Sequence, residues 1–149
     1  MLDKIKLTSD ELGLMSLFQN VSGATARDCI IDEKMDRVIF VVNKNEMGLA
    51  IGKGGMSIKN LQDMVGKPVE LVEYSDVPTE LISNALNAKF ISDIRITEKL
   101  DGDKMAVVVV SDQRRKGAVV GRDGRNAEKA RLLAKRYFQI SSIHIVAPM

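Results

Sequence analysis

The chain has 149 residues, of which 45% are hydrophobic and 28% charged, a composition that is typical of a globular protein and excludes a disordered one. The formal net charge of +2 does not by itself predict a polyanionic partner, so any binding charge must be concentrated locally. The one cysteine, Cys29, excludes an internal disulfide, and the sequence has no apolar run long enough to cross a membrane. The N-terminal residues lack a signal-peptide pattern, so we expect a cytoplasmic protein without a membrane partner. We also expect a monomer.

The first half of the chain predicts a compact unit at residues 1–75. Thr8 and Glu11 form a capping-box pattern at the start of a helix, and Gly23 ends it. Helix, strand, strand, short helix, longer helix and strand are predicted in turn at 8–23, 26–31, 37–43, 46–51, 55–65 and 68–74. The apolar residues expected to face inward on the two longer helices are Leu12, Met15, Leu17, Phe18, Met56, Ile58, Leu61 and either Met64 or Val65.

The second half predicts the same order at residues 76–149. A polar break at 75–78 precedes a helix expected at Thr79–Phe90. Two strands, a short helix, a longer helix and a last strand are predicted at 93–98, 105–110, 113–120, 125–138 and 141–146. Both halves therefore have the order α-β-β-α-α-β, so the chain contains one internal duplication.

Each half carries a Gly-x-x-Gly sequence between its two later helices, in AIGKGGMSI at 50–58 and VVGRDGRNA at 119–127. Glycine permits positive φ and close approach of a ligand, and the following helix presents unpaired amides and a partial positive charge to an anion. Lys53 and Arg122 add a cation inside each loop. A single motif of this kind is more often a simple helix–helix turn, but two copies in matching order favour a phosphate-binding role.

Other glycine-rich nucleotide sites do not fit these residues. A Walker A loop needs four residues between its first glycine and Gly-Lys, whereas Gly48 and Gly52 are separated by three. A dinucleotide fingerprint needs a glycine at position 57, which is Ser57, and a strand rather than a helix before the loop. Nucleotide hydrolysis is therefore poorly supported, and we expect neither a cofactor nor a metal.

The two glycine-loop segments resemble the KH family, in its type II arrangement. The family core, Ile-Gly-x-x-Gly-x-x-Ile, is matched by Ile51, Gly52, Gly55 and Ile58, and in the second half by Val120, Gly121 and Gly124, with Ala127 at the last position. The stretches NEMGLAIGKGGMSIKNLQ and DQRRKGAVVGRDGRNAEKARLLAKRYF resemble the paired KH domains of transcription termination and antitermination factors. The expected fold class is therefore α+β, with two tandem type II KH domains, each a three-stranded sheet with helices on one face.

The resemblance implies that each domain holds about four nucleotides of single-stranded RNA, with the glycine loop on the backbone and an apolar floor under the bases. The residues that it implies are Ile51, Gly52, Lys53, Gly54, Gly55 and Ile58 in the first domain, and Val120, Gly121, Arg122, Asp123 and Gly124 in the second. Asp123 departs from this chemistry because its carboxylate opposes a phosphate, although it is also a residue that can cap the following helix.

Further basic residues lie beside the loops. Arg114, Arg115 and Lys116 precede the second loop and are either phosphate contacts or a solvated helix face, and Arg125 follows it. Lys59, after the first loop, is a further candidate RNA contact, although the helical positions of Lys59 and of Lys129, after the second loop, favour solvent-facing side chains. Aromatic residues are only 4% of the chain, which argues against an aromatic platform as the main binding device.

Three functions remain as hypotheses. The first is a non-catalytic RNA-binding transcription factor that binds nascent single-stranded RNA, with RNA polymerase as a possible partner. The second is a KH-type protein of ribosome assembly or translation. The third, an enzyme that uses the glycine loops for nucleotides, predicts ATP or GTP binding, which we expect to be absent. His144 and Cys29 are expected to be a surface strand residue and a small core residue.

Overall fold

The computed structural model describes residues 5–148, so the terminal residues of the two predicted units, 1–4 and 149, lie outside the described part. The chain divides into two compact units, with the boundary in the sequence between Tyr74 and Ser75. The first unit contains α1 (Ser9–Ser22), β1 (Ala26–Asp32), β2 (Arg37–Val42), α2 (Met47–Ile51), α3 (Met56–Val65) and β3 (Val69–Glu73). The second unit contains α4 (Pro78–Ala85), β4 (Ile91–Glu98), β5 (Lys104–Val110), α5 (Lys116–Val120), α6 (Arg125–Phe138) and β6 (Ile140–Val146). The predicted order α-β-β-α-α-β is confirmed in both units.

Each unit has a three-stranded sheet with its second strand in the middle. The orders are β1-β2-β3 and β4-β5-β6, and the central strand is antiparallel to the strand before it and parallel to the strand after it. A parallel neighbour requires a crossover connection, because a tight turn can only reverse the chain. The two helices on either side of each glycine loop form that crossover, so the loop lies on the connection from the central to the edge strand.

The capping box predicted for α1 is present. The backbone N–H of Thr8 donates to Oε1 of Glu11 at 2.8 Å, and the N–H of Glu11 donates to Oγ1 of Thr8 at 3.2 Å. Gly23 ends the helix at φ 78°, and its N–H donates to the carbonyl of Gln19 at 2.8 Å. Both ends of α1 are therefore set by local side-chain and backbone chemistry.

The core of the first unit lies between its helices and one face of its sheet. Phe18 of α1 stacks on Phe40 of β2 with ring centroids 4.7 Å apart, and both residues are fully buried. Leu61 of α3 and Cys29 of β1 complete the centre of this cluster, which confirms that Cys29 is a small core residue. Burial of a side chain such as Phe40 contributes about 1.5–3 kcal/mol, so this contact is a main attachment of α1 to the sheet.

Arg37 lies on the opposite face of the same strand, since side chains alternate along β2. It is fully buried, and it joins the three strands. Its Nε donates to Oδ2 of Asp32 on β1 at 2.8 Å, and its Nη1 donates to Oε2 of Glu70 on β3 at 2.9 Å. Loss of one partner from this buried group of charges is strongly destabilising, because the remaining charges are left without compensation.

The second unit packs α6 against α4 and β6. The buried residues of β5 alternate as Ala106, Val108 and Val110, which is the pattern of a strand with helices on one face. His144 on β6 is exposed, as predicted for a surface strand residue. Within residues 5–148, no helix has the length and apolar character needed to cross a membrane.

The predicted helix at Thr79–Phe90 is wrong in its second half. The α-helix ends at Ala85, Leu86 is extended, and the chain resumes with a single 3₁₀ turn at Ala88–Phe90. The carbonyl of Phe90 accepts a hydrogen bond from the N–H of Ser111 at 2.7 Å, next to the end of β5. This hydrogen bond places the backbone of Phe90 beside the end of β5, where it cannot continue α4. Pairing with the sheet therefore overrides the apolar pattern that favoured a longer helix.

Two residues expected to face inward are exposed instead: Leu12 on α1 is 50% exposed, and Met56 on α3 is 58% exposed. At the end of α3, either Met64 or Val65 was expected to face inward, and Met64 is 61% exposed. Of the two alternatives at the end of α3, Val65 packs against the core. Short helices cover only part of a small sheet, so an apolar residue at the edge of the helical face remains in contact with solvent.

Candidate nucleic-acid interface

The two glycine loops have the same backbone conformation. In the first loop, φ is 79° at Gly52, 62° at Gly54 and 76° at Gly55. In the second, φ is 84°, 57° and 75° at residues 121, 123 and 124. Positive φ at three of four positions turns the chain sharply between the short and the long helix. The sequence repeat is therefore also a repeat of three-dimensional structure.

The first glycine of each loop is required by close packing as well as by φ. A Cβ atom at Gly52 would lie 2.7 Å from the backbone nitrogen of Ser57, and a Cβ atom at Gly121 would lie 2.9 Å from that of Asn126. Both nitrogens belong to the first turn of the long helix. The loop therefore turns back onto the end of that helix, where partial positive charge attracts anions.

The third loop position distinguishes the two units. Gly54 occupies it in the first unit, and Asp123 adopts the same left-handed conformation in the second, which Asp tolerates better than most residues. The capping role considered for Asp123 is wrong, because Gly124 is the cap residue of α6 and no side chain caps that helix. The exposed Asp123 carboxylate therefore adds a negative charge to the surface of the second loop.

The loop tips are open to solvent. Lys53 and Gly54 are exposed in the first loop, as are Arg122 and Asp123 in the second. Three amides are used inside the first loop, since those of Gly52, Gly55 and Met56 donate to carbonyls within the loop or the preceding helix. As with α6, no side chain caps α3, because its cap residue is a glycine. The sequence predicted unpaired amides at the start of each long helix, but the first of these amides, that of Met56 or Arg125, donates to the carbonyl of Lys53 or Arg122. The partial positive charge at the end of each helix still favours an anion at the loop.

The apolar residues predicted for the first site lie at the loop but differ in exposure. Ile51 is 40% exposed, and Ile58 is half-buried against the core. Leu49 and Met56 were missed by sequence reasoning and are also exposed beside this loop. Their positions next to Gly-x-x-Gly are the one signal that could have identified them. Leu49, Ile51 and Met56 are therefore exposed apolar residues that flank this loop in sequence.

The basic residues predicted for the second site differ in their contacts. Arg114 binds Asp112 with an Nη2–Oδ2 distance of 2.9 Å, and this hydrogen bond lowers the pKa of the Asp112 carboxyl. The guanidinium of Arg115 lies over the ring of Phe90, 4.9 Å from its centroid. Lys116 is exposed at the start of α5. These side chains project from a 3₁₀ turn at Gln113–Arg115 and from the helix that follows it, rather than from one continuous helix.

The remaining predicted cations have mixed outcomes. Lys59 is exposed, as expected for a residue that faces solvent, and Arg125 and Val120 are half-buried next to the second loop. The expectation that Lys129 faces solvent is wrong, because this residue is only 8% exposed. It lies on the side of α6 that carries the buried Ala130, Leu133 and Ala134, which hydropathy alone did not indicate for a lysine.

Charge is distributed unequally between the two units. Residues 1–74 contain nine lysines and arginines and 11 acidic residues, a formal net charge of −2. Residues 75–149 contain 13 lysines and arginines and nine acidic residues, a formal net charge of +4. The positive charge is therefore concentrated in the second unit, although the net charge of the whole chain is small. Among the described residues, no group of three His, Cys, Asp or Glu side chains could hold a metal ion.

Two units of this topology, each with a Gly-x-x-Gly crossover loop, define a protein of the KH class. The KH domain family matches residues 14–89. The chain is 35% identical over 142 residues to the probable transcription termination protein NusA of Halococcus morrhuae, a match that covers 95% of this chain and 99% of that protein. It is 36% identical over 141 residues to the protein of the same name from Halobacterium salinarum, covering 95% and 98% of the two chains.

A solved structure agrees with these relatives. The crystal structure of APE1850 superposes with a TM-score of 0.84 at 37% sequence identity, and the match covers 94% of this chain and 100% of that one. The protein of Methanocaldococcus jannaschii with the same name as the two above is 30% identical over 96% of this chain and 76% of its own length. The chain belongs to the NusA family of KH-domain proteins.

Proposed function

We propose that this protein is a non-catalytic factor that binds single-stranded RNA through its two glycine loops and acts in transcription termination and antitermination. The observation that carries the proposal is the repeated loop conformation, with positive φ at the first, third and fourth positions of both loops. The relatives named as probable transcription termination proteins support the cellular role. Nascent RNA is the substrate that such a role requires.

The proposed site residues act in two ways. The backbone of each loop and the first turn of the helix after it hold phosphates, which position the strand without reading its sequence. Apolar residues beside the loop receive the bases. The residues proposed for RNA contact are Ile51, Gly52, Lys53, Gly54, Gly55, Ile58, Lys59, Arg114, Arg115, Lys116, Val120, Gly121, Arg122, Asp123, Gly124 and Arg125.

An RNA-binding titration with a charge-reversed first loop tests this proposal. The variant carries Lys53→Asp and Gly54→Asp. Asp is compatible with the backbone at position 54, because Asp123 adopts the same conformation in the second unit. Affinity for a short unstructured RNA is expected to fall. The dependence of log affinity on log salt is expected to weaken by about 0.7 for each phosphate that the variant no longer neutralises.

The double variant changes the charge by −3, so the single variant Lys53→Asp is titrated as well, and Lys34→Asp is its matched control. Lys34 is exposed in the polar turn between β1 and β2, away from the glycine loop, and its reversal changes the charge by the same amount as Lys53→Asp. The control is expected to retain nearly full affinity. An RNA affinity that is insensitive to salt, or an equally weakened affinity in the loop variant and the control, would contradict binding through the loop.

We also propose RNA polymerase as the protein partner, because termination and antitermination are events on the transcribing enzyme. Tagged protein recovered from cells of the source organism is expected to co-purify with RNA polymerase subunits and with nascent transcripts. Recovery with ribosomal particles in place of polymerase would support a role in ribosome assembly or translation instead.

A further inference from the structure

Two cationic groups lie close to the ring of Phe90 in the second unit. The guanidinium carbon of Arg115 is 4.9 Å from the ring centroid, and Nζ of Lys89 is 5.0 Å from it. Phe90 is half-buried, whereas both cations are exposed. An exposed guanidinium near an aromatic ring offers a planar face to a ligand, and its orientation is restricted before binding.

The backbone fixes where this group of side chains stands. The N–H of Phe90 donates to the carbonyl of Asn87 at 3.2 Å, and its carbonyl accepts from Ser111 at 2.7 Å. The turn that carries Phe90 packs against α5, the short helix that leads into the second glycine loop. Arg115 is the cap residue of α5 and Gly121 ends it, so about 9 Å of helix axis separates them at about 1.5 Å per residue. A strand held by the loop can therefore reach the ring.

The equivalent place in the first unit has the opposite chemistry. Glu46 immediately precedes α2 there, as Arg115 immediately precedes α5. Oε1 of Glu46 accepts from the N–H of Thr25 at 2.7 Å, and Thr25 stands where Phe90 stands, immediately before the first strand of the sheet. One unit thus has a carboxylate and a threonine at this junction, and the other has an arginine and a phenylalanine.

A carboxylate at this place repels a phosphate, whereas a guanidinium attracts one. Single-stranded nucleic acids bind where aromatic or guanidinium planes stack with bases and cations contact the backbone. The second unit combines both features at one junction and has the positive net charge of +4. Its own loop carries the opposing carboxylate of Asp123. A contact outside that loop offsets the repulsion.

We propose that Lys89, Phe90 and Arg115 form a second RNA-contact site in the second unit, outside the glycine loop and without a counterpart in the first unit. An unpaired base stacks on the plane of Arg115 or on Phe90, and Lys89 contacts the neighbouring phosphate. This site lengthens the strand that the second unit holds. The inference rests on the proposed RNA-binding function and adds a binding site to it.

Substitutions that separate stacking from charge test this site. Phe90→Leu retains an apolar side chain and the net charge, so affinity is expected to fall while the salt dependence stays the same. Stacking contributes about 1–3 kcal/mol per base, so the expected reduction in affinity is about fivefold or more. Arg115→Gln is expected to lower both the affinity and the salt dependence, the latter by about 0.7. Arg115→Lys keeps the charge without the plane, so its affinity is expected to be intermediate.

The probes are an unstructured RNA of about a dozen nucleotides and a tetranucleotide that fills one glycine-loop cleft. The reductions in affinity are expected with the longer RNA and are expected to be much smaller with the tetranucleotide. Arg95→Gln is the control, because Arg95 is an exposed arginine whose Nε–Oδ2 distance to Asp93 is 2.7 Å, on the sheet face away from the helices. It removes one positive charge without touching the proposed site. Thermal unfolding of each variant verifies that the second unit remains folded.

The outcomes separate this inference from the proposed function. One outcome would overturn the second RNA-contact site, and with it the proposed contact of Arg115, but leave binding through the glycine loops intact. In that outcome Phe90→Leu and Arg115→Gln bind the longer RNA as tightly as Arg95→Gln does, while the Lys53→Asp, Gly54→Asp variant binds it more weakly. No RNA binding by the unmodified protein would overturn the proposed function, and the second RNA-contact site with it. Weaker binding that is confined to the longer RNA supports both.

Discussion

Replacement of Gly52 by alanine is expected to destabilise the first unit far more than the same change two residues later. Gly52 has φ 79° and ψ 167°, a region that is nearly restricted to glycine. The added methyl group would lie 2.7 Å from the backbone nitrogen of Ser57 and closer still to its Oγ. The hydroxyl can rotate away, but the nitrogen belongs to the first turn of α3 and moves only if the helix moves.

The magnitude follows from these two contributions. The unfavourable backbone region costs about 1–3 kcal/mol, and forcing a methyl group into a packed contact costs about 1–3 kcal/mol more. Gly54→Ala introduces a left-handed alanine at a cost of about 1–2 kcal/mol, with no atom within 4 Å of the new methyl group. We therefore expect destabilisation by about 3–4 kcal/mol for Gly52→Ala and about 1 kcal/mol for Gly54→Ala. A domain of this size has a total stability of about 4–11 kcal/mol.

Urea unfolding and native-state amide hydrogen exchange measure this difference. Exchange of the Leu61 amide, at the buried centre of α3, reports the stability of the first unit separately from that of the second. The thermal midpoint of the first unit is expected to fall by about 4–8 °C for each kcal/mol of destabilisation. Equal destabilisation by Gly52→Ala and Gly54→Ala would refute the packing explanation and leave backbone conformation as the whole effect.

Three further predictions concern charge. Asp123→Asn removes the carboxylate from the second loop and keeps a residue that tolerates the left-handed backbone conformation. RNA affinity, measured in a binding titration, is expected to rise several-fold at low salt and little at high salt. An unchanged affinity would show that this loop is not near a phosphate. Arg37→Leu leaves the carboxylates on the two neighbouring strands without their partner. The free energy of unfolding, measured in urea, is expected to fall by about 3–5 kcal/mol, and a decrease below about 1 kcal/mol would contradict this prediction. Arg114 lowers the pKa of Asp112, so the stabilisation from this pair is present above the ordinary Asp pKa of 3.8 and is lost as the pH falls through the lowered pKa. In Arg114→Gln, the pKa of Asp112 followed by NMR is expected to rise. The same Asp112 pKa in the variant and the unmodified protein would exclude this hydrogen bond as the cause.

Local features of the chain were predictable because they depend on neighbouring residues. The capping box of Thr8 and Glu11 sets the start of α1, and Gly23 and Gly66 end helices at positions where a left-handed residue is needed. Runs rich in Ile, Val and Phe indicated the strands, and the two Gly-x-x-Gly motifs indicated a turn between two helices in each half. These signals depend on residues that are close in sequence, so they predict local structure without knowledge of the tertiary fold.

Side-chain exposure was less predictable, because it depends on which distant elements cover a helix. Met56 and Lys129 occupy positions where helical periodicity gave the opposite expectation, and the structure exposes the first and buries the second. The end of α4 at Ala85 was also missed, since it is governed by the pairing of Phe90 with Ser111, 21 residues away. Propensity is a weak guide wherever such a pairing competes with it.

The sequence by itself determined the repeat, the order of elements, the two glycine loops and the family to which they belong. Only the tertiary structure placed Arg115 against Phe90, because the two residues are 25 positions apart and belong to different elements. Only the structure gave Asp123 the same backbone conformation as Gly54 and left it without a capping role. The physical reason is the range of the interactions: backbone preferences are local, whereas burial and side-chain contacts arise when distant segments meet.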